Sequence, residues 1–217
     1  MKKGLAAIAA VYLCLPALMI VSSCNNGDKK NGQLKTDTIK PVRTNTGKNK
    51  EQAKMEKPAI INMLDTVSAK KIVIYMKDSA KTFERISLKL GTIYGVKLAE
   101  VLKKNGIKMA GAPMAWYKTQ KPPFFFEAGV PVNKKPAKLP GNVFVREMNT
   151  DSVTMAHFYG PYNLLGQGYD AIKERMKEEK RSAKGAPYEI YVDDPVDKNG
   201  KPIDPYKLRT DIVFPRQ

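Results

Sequence analysis

Glu189 is the residue whose setting most demands a chemical explanation. It lies in residues 185–194, read G-A-P-Y-E-I-Y-V-D-D, where the β-branched and aromatic content predicts a strand. A carboxylate desolvated among aromatic side chains has a raised pKa, because burial disfavours the charged form. A bound cation would relieve that cost, and aromatic faces would add cation–π attraction. Two chemistries follow. One is capture of a lipophilic or cationic organic molecule in an aromatic pocket. The other is general acid–base work by Glu189 with Tyr117 or Tyr191 as proton partner. The plainer alternatives are a bond from Glu189 to a tyrosine hydroxyl, or a pair with Arg209 that only holds the sheet.

Other chemistries lack their parts. There is no Ser/His/Asp order and no G-x-S-x-G, and His157 is the single histidine. Of the two cysteines, Cys14 falls in an apolar leader. The usual Cys/His zinc site is therefore excluded, and neither a metal nor a cofactor is expected. His157 and Trp116 read as structural.

The Glu189 strand has an echo at residues 111–117, G-A-P-M-A-W-Y. The motif L-G-x-x-Y also occurs twice, ending on Tyr94 and on Tyr169, and Gly111-Ala112-Pro113 and Gly185-Ala186-Pro187 follow at nearly equal distances. Each G-A-P leads to a tyrosine four residues past its proline, Tyr117 or Tyr191. Each half then closes on an apolar run ended by proline, 124–131 and 208–215, which sets Glu127 against Asp211.

Periodicity supplies the elements. Residues 72–76 and 153–159 predict strands. Leu90, Tyr94, Leu98 and Val101, and likewise Leu165, Tyr169, Ile172 and Met176, fall on the apolar stripes of two helices of roughly four turns. Gly91, Gly95, Gly166 and Gly168 are expected where helix and sheet approach closely. Two strands follow each helix, and 193–205 is a turn-rich loop. The fold class is α+β: two pseudo-symmetric β-α-β-β repeats, with helices on one sheet face and a central ligand groove on the other.

Alternation sorts the strand side chains into faces. Tyr188, Ile190 and Val192, with Met114 and Trp116, are expected under the helices. Leu208, Thr210, Ile212 and Phe214 join them, as do Phe124 and Phe126. The helix-free face then collects Tyr117, Phe125, Glu127, Glu189, Tyr191, Arg209 and Asp211. Of these, Glu189, Tyr191, Tyr117, Phe125 and Glu127, together with Tyr159, are the candidate ligand-binding residues.

The N-terminal region reads differently. Lys2 and Lys3, an apolar run over 4–21, and Val21-Ser22-Ser23-Cys24 resemble a lipoprotein signal, in which the Cys24 thiol takes a diacylglyceryl group. Residues 1–23 are then signal peptide and 24–57 a lipidated basic tether. The tether is poor in large apolar side chains, so it cannot bury enough surface to order itself. The formal net charge of +17 does not imply nucleic acid: part lies in signal and tether, and much of the rest closes helices, where cations complement the dipole. The expected location is the cell envelope, the outer membrane by default because Asn25 rather than aspartate follows Cys24. A monomer anchored through the Cys24 lipid is expected.

Residues from about 68 to 217 resemble the GyrI-like small-molecule-binding domain, also called the AraC-type effector-binding domain. The matching pieces are His157-Phe158-Tyr159-Gly160-Pro161-Tyr162; Leu164-Leu165 with Tyr169; Gly185-Ala186-Pro187-Tyr188-Glu189-Ile190-Tyr191; and Leu208-Arg209-Thr210-Asp211-Ile212 with Phe214-Pro215. The resemblance implies a central groove for small hydrophobic, often cationic molecules, with the pocket glutamate at Glu189. It also implies a hydrolase alternative, since some stand-alone relatives act on strained electrophiles. The chain departs from the family's regulators in carrying a signal and tether where a DNA-binding module would stand. It departs again in having Asp78-Ser79-Ala80-Lys81 where a G-P-Y-like turn would stand. The expectation is a membrane-anchored binding protein over 58–217 rather than an enzyme or a DNA-reading sensor.

Overall fold

Two helices on one antiparallel sheet make up the described residues, 57–119 and 121–217 of a computed structural model. The expected signal peptide, Cys24 and the expected tether through residue 56 lie outside the described residues. The strands are β1 (Ile60–Ser68), β2 (Lys71–Ala80), β3 (Met114–Tyr117), β4 (Phe124–Val132), β5 (Phe144–Met148), β6 (Asp151–Tyr159), β7 (Tyr188–Tyr191) and β8 (Arg209–Pro215). They form one sheet in the order β1-β6-β8-β7-β3-β4-β2-β5. The first helix runs end to end through α1 (Phe83–Thr92), a π-helical segment (Ile93–Leu98) and α2 (Ala99–Asn105); the second is α3 (Leu165–Glu178).

The α+β class and the two β-α-β-β halves are as the sequence predicts: β2-α1/α2-β3-β4 and β6-α3-β7-β8. They meet where β3 lies beside β7. The aligned repeat holds to the residue. Ala115 faces Ala128 in one half, Glu189 faces Ile212 in the other, and Ala115 and Glu189 face each other across the pseudo-two-fold. Helix boundaries follow local chemistry. The Thr82 side chain accepts from the Arg85 N–H at 3.3 Å, a cap worth about 1 kcal/mol. Gly106, at φ 58°, ends α2 in the left-handed region that glycine adopts without strain. The first helix is longer than expected because it begins at Phe83, well before the Leu90–Val101 stripe, and the π segment carries it without a break to Asn105.

β1 and β5 are additions to the sequence reading. Each is an edge strand with one paired side, so neither shows the apolar alternation of a buried strand. Each precedes one half yet pairs with the other, β1 with β6 and β5 with β2. The register does not slip between these ladders: Ser68 faces Asp151, and three residues on Lys71 faces Met148. β1–β2 and β5–β6 are thus the two strands of one long ribbon that reaches both edges of the sheet, which requires the sheet to curl. The curl is visible in the packing. Val73 of β2 and Val153 of β6, far apart in strand order, share one buried apolar cluster with Met114, Trp116, Tyr188 and Val213.

That cluster corrects the expected faces of β3 and β7. Met114, Trp116, Tyr188 and Ile190 do not lie under the helices; they fill the helix-free concavity. The α3 side of the sheet carries Ala156, Phe158, Ile212 and Phe214, and Glu189, opposite Ile212, shares their face. Tyr117, opposite Phe126, faces the first helix. The reason is the curl, which supplies a second apolar interior, so large apolar side chains do not need a helix to cover them.

The glycine expectation holds at one position of four. A Cβ on Gly168 would come within 2.5 Å of Ile212 Cδ1 and 3.3 Å of the Phe158 ring, whereas Gly91, Gly95 and Gly166 face open space. Gly91→Ala should therefore raise stability by about 0.5–1 kcal/mol, since only the helix propensity changes. Gly168→Ala should lower it by about 1–3 kcal/mol through overpacking. Urea unfolding of the two variants checks the pair, and equal shifts would contradict the close approach at Gly168.

Candidate functional site

Glu189 is 3% exposed, on the strand β7 at the middle of the sheet and on the face that carries α3. Its two oxygens are held separately. Tyr169 of α3 donates its hydroxyl to Oε1 at 2.9 Å, and Tyr191 donates to Oε2 at 2.8 Å. The Tyr191 hydroxyl lies 2.9 Å from that of Tyr117. Since the Tyr191 proton is committed to Glu189, Tyr117 donates to Tyr191. The result is a chain of hydroxyls ending on a carboxylate, across the pseudo-two-fold.

The repeat explains the pattern. Tyr94 and Tyr169 are equivalent helix tyrosines, and Tyr117 and Tyr191 equivalent strand tyrosines. Where the second half has Glu189, the first has Ala115, so the Tyr94 hydroxyl donates instead to the Met114 carbonyl at 2.8 Å. The Tyr94 ring stands 6.3 Å from the Tyr191 ring, and Tyr162, just before α3, meets Tyr191 edge-on at 6.2 Å. Tyr94 sits in the π segment. That segment interrupts the regular helix hydrogen bonding, an arrangement often found at functional positions. Tyr162 is 40% exposed and forms the outer wall. Five tyrosines therefore surround one acid.

Among the described residues no salt bridge reaches Glu189. Burial pushes its pKa up to about 7, against the lowering effect of the Tyr191 and Tyr169 hydrogen bonds. Burial above all, with the nearby Glu189 charge, raises the Tyr94, Tyr117 and Tyr191 hydroxyls well above their ordinary value. The tyrosines therefore stay neutral donors while Glu189 changes charge near neutrality. The site can take up and release a proton at Glu189, with tyrosine rings around it.

Of the expected ligand residues, the structure brings Glu189, Tyr191 and Tyr117 together. Phe125, Glu127 and Tyr159 are elsewhere. Phe125 and Glu127 point to the helix-free side, opposite to Phe124 and Phe126, and Phe125 is exposed. Glu127 is ion-paired with Arg146 at 2.5 Å and Lys118 at 3.2 Å. Burial opposes its ionisation, but the two cations prevail and hold its pKa below the ordinary value. Arg146 is itself stacked over the Trp116 and Tyr75 rings. Tyr159 faces Arg209 and Ile60 near the end of β6, off the Glu189 face. Arg209 pairs with Asp211, as does His157, at 3.1 and 2.6 Å, so among the described residues Arg209 is engaged with Asp211 and not with Glu189.

Sequence reasoning misses Tyr94, Tyr162 and Tyr169, reading the helical pair as core stripe. The available signal is the repeated L-G-x-x-Y: a tyrosine recurring in both halves at a buried helix position brings a hydroxyl that must find a partner.

No protein-family model matches the chain, and no curated protein does. Solved structures do resemble it. The EcmrR C-terminal domain superposes with TM-score 0.59 at 18% identity, over 73% of this chain and 98% of that one. EcmrR in its DNA complex gives TM-score 0.62 at 20% identity, over 72% of this chain. The chain spans 57% of that EcmrR chain's length. The likeness establishes the fold shared with that C-terminal domain.

The Glu189 setting has a pH signature. The folded-state pKa lies above the unfolded one, so the stability tied to the bound proton is full below about pH 4.5 and lost as pH rises through about 7. The loss amounts to about 3 kcal/mol. Glu189→Gln should accordingly exceed the parent in stability by about that much at pH 8.5, the two converging near pH 5. Denaturant unfolding at both pH values measures it, and a gap independent of pH would mean that Glu189 titrates as an ordinary carboxyl.

Proposed function

We propose that this protein is a membrane-anchored small-molecule-binding protein that captures lipophilic organic cations in the tyrosine-walled groove at Glu189. One observation carries the reading: a fully buried carboxylate has two hydroxyl partners and five tyrosines around it, but no cationic side chain pairs with it among the described residues. Buried carboxylates are normally paired, because desolvating a lone charge is costly. A cation with a large apolar surface supplies what the fold withholds: a counter-charge for Glu189 and apolar area for the rings. Hydrated inorganic cations fit poorly, since the oxygens presented are two carboxylate oxygens already engaged by tyrosines.

The anchor is the second half of the proposal. The lipobox-like Val21-Ser22-Ser23-Cys24 and the basic segment after it would hold the domain at the cell envelope, close to membrane-partitioning molecules. A second reading, hydrolysis of small electrophiles, draws on the Tyr117–Tyr191–Glu189 hydroxyl chain and on a carboxyl that titrates near 7, suited to general acid–base work.

Tetraphenylphosphonium and tetraphenylborate share shape and differ in charge sign, so titration with both isolates the role of Glu189. The cation should bind and the anion not. Affinity for the cation should rise as pH increases through about 7, and Glu189→Gln should weaken it by roughly tenfold to a hundredfold. Equal binding by Glu189→Gln would refute the capture reading. Incubation with epoxide electrophiles, followed by mass spectrometry of the recovered compound, tests the hydrolase: turnover abolished by Glu189→Gln would favour it.

Lipidation is separately testable by metabolic labelling with a radioactive fatty acid in a bacterial host. The parent chain should carry label and fractionate with membranes, and Cys24→Ala should do neither. An unlabelled parent would remove the anchor from the proposal.

A further inference from the structure

A second cleft, of about 710 Å³, opens on the first half, between α2 and the 133–143 loop that joins β4 to β5. None of the five tyrosines lines it. Its floor is apolar: Met76 of β2, Val101 of α2 and Val143 are each almost wholly buried, and Leu139 packs on the same core. Its rim is cationic. Lys97, Lys104 and Lys138 line it against a single acid, Glu100, which pairs with Lys104 at 3.5 Å. Asp78, whose charge also feels Lys97, is already paired with Lys89.

The walls are tied in place. Asn105 accepts the Lys138 N–H at 3.2 Å and donates to the Val101 carbonyl at 3.0 Å, which fastens the loop to the helix. The carbonyl end of α2 would repel an anion, but the Gly106 and Ile107 N–H groups cap its Lys103 and Leu102 oxygens. The volume is that of an ordinary small-molecule site.

We infer that this cleft binds a single-chain anionic amphiphile, its acyl chain on the Met76–Val101–Leu139–Val143 floor and its carboxylate or phosphate head among Lys97, Lys104 and Lys138. The pairing is the reverse of the one at Glu189: an apolar site with excess positive charge, on the same molecule as an apolar site with negative charge.

Calorimetric titration of the full-length protein with dodecanoate, kept below its micellar concentration, tests the assignment. Dodecanoate should bind saturably at one site, and dodecyltrimethylammonium at least roughly tenfold more weakly there. Lys97→Gln/Lys138→Gln, at exposed positions that leave the circular dichroism spectrum unchanged, should lose roughly tenfold in dodecanoate affinity. Glu189→Gln should lose none, which separates this site from the tyrosine groove. Absence of saturable binding, insensitivity to the double lysine substitution, or loss with Glu189→Gln would each overturn the inference. A co-sedimentation arm uses vesicles containing phosphatidylglycerol: lysine-dependent vesicle binding without dodecanoate binding would overturn it in favour of a bilayer-surface contact.

Discussion

A carboxylate buried with no cationic partner among the described residues is the constraint around which this fold is arranged. Glu189 sits at the one place where the two halves meet, directly opposite Ala115. Two acids there would repel one another across the axis, and none would leave the four symmetric tyrosines without a focus. One acid breaks the symmetry. Tyr169 and Tyr191 turn their hydroxyls to it, Tyr117 turns to Tyr191, and Tyr94, lacking an acid in its own half, turns to a backbone carbonyl. The repeated architecture thus yields a site with a direction from nearly equivalent parts.

Holding that acid out of water requires apolar cover on both sides of the sheet, and the two sides obtain it differently. On one side the helices provide it, with Gly168 letting α3 approach Ile212 beside Glu189. On the other the sheet covers itself. The unslipped β1–β2 and β5–β6 ribbon draws the two edges round until Val73 and Val153 share a cluster with Trp116 and Tyr188. Charges are present on that concave side too, but they are satisfied: Glu127 by Arg146 and Lys118, Asp211 by His157 and Arg209. Glu189 differs from Glu127 in having hydroxyls where Glu127 has cations. For that reason burial raises one pKa to about 7 while ion pairing lowers the other.

Much of this arrangement is legible in the amino-acid sequence. The repeat is readable because each half carries the same residue types at the same spacing, and its alignment holds to the residue across β3, β4, β7 and β8. Glu189, Tyr117 and Tyr191 stand out as odd polar groups in apolar strands. Edge strands β1 and β5 do not stand out, because half-paired strands with one solvated face carry a weak pattern. Tyr94 and Tyr169 read as core because periodicity reports that a helical position is buried, not what its hydroxyl meets.

The sequence by itself determined the two-fold, the helix stripes and the alternation that puts Glu189 and Tyr191 on one side of their strand and Tyr188 and Ile190 on the other. Only the tertiary structure decided which side that was. Alternation sorts side chains into two sets but does not orient them. Orientation comes from the hydrogen-bond register that sets Glu189 opposite Ile212, and from a curl that makes the helix-free face a second apolar interior. Phe125 and Glu127 therefore fall outside the site and the helix tyrosines enter it, because a one-face assignment depends on pairings between residues far apart in the chain.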